Sequence, residues 1–112
     1  MNELPVVNRS QELYGAVRPI INKLPSLEKQ TIGCRVEDGI LSLLESFIMA
    51  KHAPKAHKTV YLLRATAQIE LLTFQLRLLL EQKLANETTT HQLQAKLVEI
   101  GRMCGGWLKS TQ

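Results

Sequence analysis

Aromatic residues are scarce, with two Phe, two Tyr and one Trp making up 4% of the chain. None of them interleaves with the basic residues, so the sequence offers no stacking platform of the kind that single-strand binders use. Cysteine is limited to Cys34 and Cys104. A single possible pair with no secretory leader reads as two reduced thiols in a cytoplasmic protein. The longest apolar stretch, Ile69 to Leu80, is interrupted by Glu70 and Arg77 and falls short of the ~20 residues that cross a bilayer, which argues against a membrane span. There is no glycine-rich phosphate loop. No Glu is followed three residues later by His, as a bundle di-iron site requires. Neither His52-x-x-x-x-His57 nor the two distant cysteines follow a zinc spacing. His91 lies among threonines without a nucleophile motif. The sequence therefore points to no catalytic residues, no metal and no cofactor, and to a protein that acts by binding other macromolecules rather than as an enzyme.

What the chain does have is the composition of one soluble domain: 112 residues, 45% hydrophobic and 21% charged. That length supports a single core. Fourteen Lys and Arg against ten Asp and Glu give a formal charge of +4, which favours phosphates or an acidic partner. Assembly would multiply this modest excess by the number of subunits.

Apolar residues recur at spacings of three and four almost throughout, and no β-type alternation is present, so the fold class is all-α. The pattern predicts four helices at about 8–24, 26–51, 55–85 and 89–110. The first starts near Asn8 or Ser10 and carries the stripe Leu13, Val17, Ile20, Leu24, with Pro19 expected to kink it or delay its start. The second begins near Ser26, buries Val36, Ile40, Leu44 and Phe47, and is weakened by Gly33 and Gly39. His52-Ala53-Pro54 ends it. The third is apolar around most of its circumference between Ile69 and Leu80, which calls for packing partners on two sides and hence for an oligomer. The fourth opens with a Thr89/Gln92 capping box and presents Leu93, Leu97, Ile100, Cys104 and Trp107 as a bundle seam. Short connections make sequential helices antiparallel, an up-down-up-down four-helix bundle.

Three further features stand out. Glu70 and Arg77 share a face on the most apolar helix and are expected to need partners, with Glu45 and Glu81 available to Arg77. Gly101, Gly105 and Gly106 beside Trp107 suggest a close helix or backbone approach. Lys51, His52, Lys55, His57 and Lys58 surround the second loop, with Arg64 two turns on, as a patch suited to phosphates.

The segment Glu99-Ile-Gly-Arg-Met-Cys-Gly-Gly-Trp-Leu-Lys-Ser resembles the closing helix of the accessory variability determinant proteins of diversity-generating retroelements. Leu62-Leu63-Arg64-Ala65 leading into Leu72-Thr73-Phe74-Gln75-Leu76-Arg77-Leu78, and a proline-containing first helix ending at Leu24-Pro25, agree with it. The resemblance covers most of residues 10 to 110. It implies a four-helix bundle that assembles into a ring-shaped homopentamer, associates with the element's reverse transcriptase and binds nucleic acid, RNA or DNA, through a basic surface. The resulting complex copies a template RNA into error-bearing cDNA that diversifies a target gene. On that reading, Lys51, Lys55, Lys58, Arg64, Lys96, Arg102 and Lys109 are candidates for phosphate or polymerase contact, and Leu72, Leu76, Leu79 and Leu80 for the oligomer interface. The nearest alternatives are a four-helix protein of the ribosomal RNA intervening sequence type and a structural adaptor with no nucleic-acid role.

Overall fold

The computed structural model describes residues 4–112, which contain no strand. Helix α1 spans Leu4–Asn22. A short α2, Ser26–Glu28, runs without a break through a π-helical turn at Lys29–Gly33 into α3, Cys34–His52. Helix α4 spans Lys55–Glu81 and α5 spans Glu87–Ser110. Each long helix packs mainly on two others, in the cyclic order α1, α3, α4, α5. The result is a four-cornered bundle of 44 × 23 × 19 Å.

Contacts between helices show that neighbours are antiparallel. Arg18 of α1 pairs with Glu37, while Ile21, further along α1, lies against Gly33. Along α3 and α4, a Cβ at Gly39 would meet Leu72, Ser46 bonds Gln68, and Ala50 meets Lys58. Along α4 and α5, Thr59 faces Thr111, Thr66 faces Cys104, and Ile69 faces Gly101. The core is built from the stripes expected of the first and last helices. Leu13, Val17, Ile20 and Leu24 are buried, as are Leu93, Leu97, Ile100 and Cys104. Phe47 of α3 is fully buried and stacks on Trp107 of α5, with ring centroids 6.3 Å apart.

The elements depart from the sequence pattern in five places, each with a physical cause. Helix α1 begins before Asn8 and Ser10. Pro5 sits in its first turn, where a missing N–H leaves nothing unsatisfied, and the Ser10 hydroxyl donates back to the Val6 carbonyl (2.8 Å) rather than capping. The helix also continues through Pro19, because the carbonyl it orphans belongs to exposed Gly15 and stays in contact with water. The second helix is interrupted by the π turn, where the backbone comes close to α1: a Cβ on Gly33 would lie 3.1 Å from Ile21 Cγ2 and 3.2 Å from Leu24 Cδ1. Helix α5 starts at Glu87. Its N-cap is Asn86, whose side chain accepts from the Thr89 N–H at 2.9 Å, in place of a box starting at Thr89.

Helix α4 ends at Glu81, four residues short of the expected limit. The Lys83 N–H donates to the Leu80 carbonyl at 3.0 Å and the Leu84 N–H to the Leu79 carbonyl at 2.9 Å, the bonding of a Schellman cap. Lys83 takes the left-handed position with φ 55°, where glycine is the usual occupant. Lys83→Gly is therefore expected to stabilise the fold by about 1 kcal/mol, read as a higher denaturant midpoint at unchanged m. An unchanged or lower midpoint would show that the Lys83 side chain contributes more than its backbone strain removes.

Candidate functional site: a basic pole and two apolar ridges

Three segments meet at one end of the bundle. The α3 C-terminus brings Lys51 and His52, and the α4 N-terminus brings Lys55, His57 and Lys58. The α5 C-terminus brings Lys109, held there by the 2.7 Å bond between the Thr59 and Thr111 hydroxyls. The chain has no Asp or Glu between Glu45 and Glu70 and none after Glu99, so these segments add only positive charge to the pole. The first turn of α1, at the same end, is also free of acid. No side chain caps the start of α4, so the positive end of that helix adds to the field.

The seven candidate basic residues do not form one surface. Lys51, Lys55, Lys58 and Lys109 lie at the pole, and exposed Arg64 lies further along α4. Lys96 sits in a groove between α1 and α5 with Arg9, Glu12 and Glu99. Arg102 is ion-paired to Glu99 on its own helix. The last two therefore have acidic neighbours that the pole residues lack.

Lys58 already has a structural task. Its ammonium donates to the carbonyls of Ala50 (2.7 Å) and Lys51 (3.1 Å), closing the C-terminal end of α3 where the helix dipole is negative. Lys58→Glu is expected to lower folding stability by about 1–2 kcal/mol, because it removes two charge-assisted bonds and places an anion at a negative helix end. Thermal or denaturant unfolding measures this. An unchanged midpoint would mean that the cap carries little weight.

The interface candidates are placed differently from expectation. Leu72, Leu76 and Leu79 are 2%, 2% and 0% exposed, inside the chain's own core, and Leu80 is half-buried. What α4 leaves uncovered is a ridge on its outer side: Val60 at 62%, Leu63 at 52%, Leu71 at 56% and Phe74 at 49%. Ala67 is also exposed, and the spacing keeps all five on one face. Helix α3 carries a second outer ridge of Leu41, Ile48 and Met49. Glu70 and Arg77 are both exposed along one flank of the α4 ridge. Among the described residues Arg77 pairs with neither Glu45 nor Glu81; the ion pairs are Arg9–Glu12, Arg18–Glu37 and Glu99–Arg102.

Of the three glycines on α5, only Gly101 approaches another helix, at 3.6 Å from Ile69, while the space around Gly105 and Gly106 is open. Cys34 is exposed on α3. Cys104 is buried, with its thiol pushed above the ordinary range by burial, an effect partly offset by its bond to Thr66. Among the described residues no three His, Cys, Asp or Glu gather as a metal site would require, and no helix is long and apolar enough to cross a membrane.

With this geometry in view, the comparison with known families is specific. The bAvd-like family matches the chain over residues 5–111, which takes in all of the helical bundle but the first residue of α1. The chain belongs to the bAvd-like family. The resemblance to accessory variability determinants is thereby borne out, and the family is of the accessory, non-catalytic kind. No curated protein matches the chain.

Proposed function

We propose that this protein is a non-enzymatic accessory subunit of a diversity-generating retroelement. It assembles into a ring-shaped homopentamer, binds the element's reverse transcriptase, and holds nucleic acid at its basic pole. The observation that carries this reading is the match to the bAvd-like family across residues 5–111. Two features of the bundle support it independently. The pole gathers Lys51, Lys55, Lys58 and Lys109 from segments that contain no acid, an arrangement suited to phosphates rather than to a folded active site. The α3 and α4 ridges leave apolar surface that a further chain can cover. The subunit works by bringing polymerase and template RNA together in the cytoplasm, with Lys51, Lys55 and Lys109 as the principal phosphate contacts and Arg64 beside them.

Titration of fluorescent single-stranded RNAs of increasing length at several salt concentrations tests the nucleic-acid part. Affinity should rise with length and fall linearly with log salt. No binding at low salt would leave the chain a protein adaptor and remove RNA from its function.

A further inference from the structure

We propose that a pit at the end of the bundle opposite the basic pole docks a short acidic segment of a protein partner, with one large apolar side chain seated in the pit and flanking carboxylates held by Lys23 and Lys83. Docking there requires neither assembly nor nucleic acid, so it is a separate capacity of the chain.

The pit is a cavity of about 270 Å³ between the last turns of α1 and the α4–α5 connection. Ala16, Pro19 and Ile20 of α1, with half-buried Leu84 and Ala85 of the connection, give it apolar walls. It is larger than the cavity of about 150 Å³ that holds benzene in a protein interior. It is smaller than the about 300–1,000 Å³ usual for cofactor-sized ligands. One large apolar side chain is the occupant that matches this volume.

Around those walls the available side-chain groups donate. Lys23 and Lys83 are exposed at the rim, and neither forms an ion pair with another described residue. Asn86 also lines the pit; its oxygen already accepts from the Thr89 N–H (2.9 Å) and hydroxyl (3.1 Å), which leaves its NH2 group as a donor. The positive end of α5 adds to the field at the same place. No carboxylate lines the pit, whereas three other surface cavities hold Glu28, Glu12 with Glu99, and Glu70. A ring of donors around an apolar floor complements an anionic group beside an apolar one.

The surroundings favour a protein segment over RNA. The 27 residues of α4 place the pit roughly 40 Å from the basic pole, so it does not extend that surface. Glu81 closes α4 and Glu87 opens α5 on either side of the connection. A polyanionic backbone would be repelled by both, while a segment with one or two carboxylates on the lysines avoids them. Lys83 gives an independent sign. Its φ of 55° is a conformation that glycine adopts without strain, so the chain keeps a cation on the rim at the expense of a strained backbone. None of the apolar ridge residues of α3 or α4 lines the pit.

Fluorescence anisotropy with a labelled peptide that carries one phenylalanine between two glutamates on each side tests the site. The wild-type chain should bind it saturably, with Kd at or below about 1 mM in low salt. A peptide with serine in place of phenylalanine should bind about tenfold more weakly or worse, the scale of burying one large apolar side chain. Lys23→Glu and Lys83→Gly should each weaken binding about threefold, the scale of a surface ion pair. Circular dichroism checks that both variants stay helical, and Lys83→Gly should lose affinity while its unfolding midpoint rises. Lys29→Glu, which changes an exposed lysine at the same end outside the pit, should leave affinity unchanged. No saturable binding by the wild type would overturn the docking site. So would an affinity that neither Lys23→Glu nor Lys83→Gly moves, or an equal loss from Lys29→Glu. Displacement of the bound peptide by single-stranded RNA would assign the pit to phosphates and overturn the protein occupant.

Discussion

Reversing Lys55 and Lys109 together, as Lys55→Glu with Lys109→Glu, should weaken single-stranded RNA binding about tenfold or more near 0.1 M salt. It should also reduce the steepness of the log affinity against log salt plot by roughly 1.4 to 1.8, the loss of two phosphate contacts. These two residues are the appropriate pair because both are exposed and lie on different segments of the pole. Lys58, although it has the same charge and location, is unsuitable: its ammonium closes the end of α3 at 2.7 Å from the Ala50 carbonyl, so reversing it would confuse binding with folding. A matched reversal of Lys96 and Arg102 should have a smaller effect, since Glu99 stands beside both. Equal losses from the two pairs would mean that the whole surface attracts RNA diffusely and that the pole has no special role.

Phe47→Ala should cost about 3–5 kcal/mol of folding stability, the range for removing a large aromatic side chain from a closed core. Phe47 is 0% exposed and stacks on Trp107 at 6.3 Å, tying α3 to α5 near the basic pole. Against a total of about 5–15 kcal/mol for a domain of this size, such a loss would leave the isolated protomer close to its unfolding limit. Urea unfolding followed by Trp107 fluorescence reports it directly, and the self-association proposed above should partly rescue the variant at high protein concentration, since a partner copy would bind only the folded chain. A loss under about 1 kcal/mol would show that the space left by Phe47 collapses and that the α3·α5 stack is not a principal tie.

Much of this architecture was readable from residue spacing, and the exceptions have physical reasons. The stripes of α1 and α5 are single and regular, so their buried faces follow directly from period 3.6. On α4 the apolar residues surround the helix, and periodicity could not say which leucines face inward. The inward side there carries Ala65, Gln68 and Gln75, with Gln68 accepting from Ser46 at 2.7 Å, while Leu63, Leu71 and Phe74 face out. A polar residue on the buried side and an aromatic on the wet side reverse the usual expectation, which is why Leu72, Leu76 and Leu79 read as interface. The π turn has no local signature because its cause lies at the end of α1 and in the connection after it, where Ile21 and Leu24 crowd Gly33. The cap at Lys83 was hidden because it forms without glycine.

The candidate site divides in the same way. The run from Ser46 to Ile69 lacks acids in the sequence itself, so half of the pole was legible. The addition of Lys109 depends on the antiparallel path of α5, and the diversion of Lys58 into capping depends on the geometry of the α3–α4 connection. Spacing alone could have anticipated the Glu99–Arg102 pair, since residues three apart on a helix are neighbours.

The central claim is that this chain serves a reverse transcriptase as a non-catalytic assembly partner. The most direct measurement is to co-express it with the reverse transcriptase of its element and determine the mass of what elutes by light scattering. The expected result is a single complex that contains both proteins and exceeds the mass of five chains alone. Separate elution of the two proteins at their individual masses, in the presence of template RNA as well as in its absence, would contradict the account.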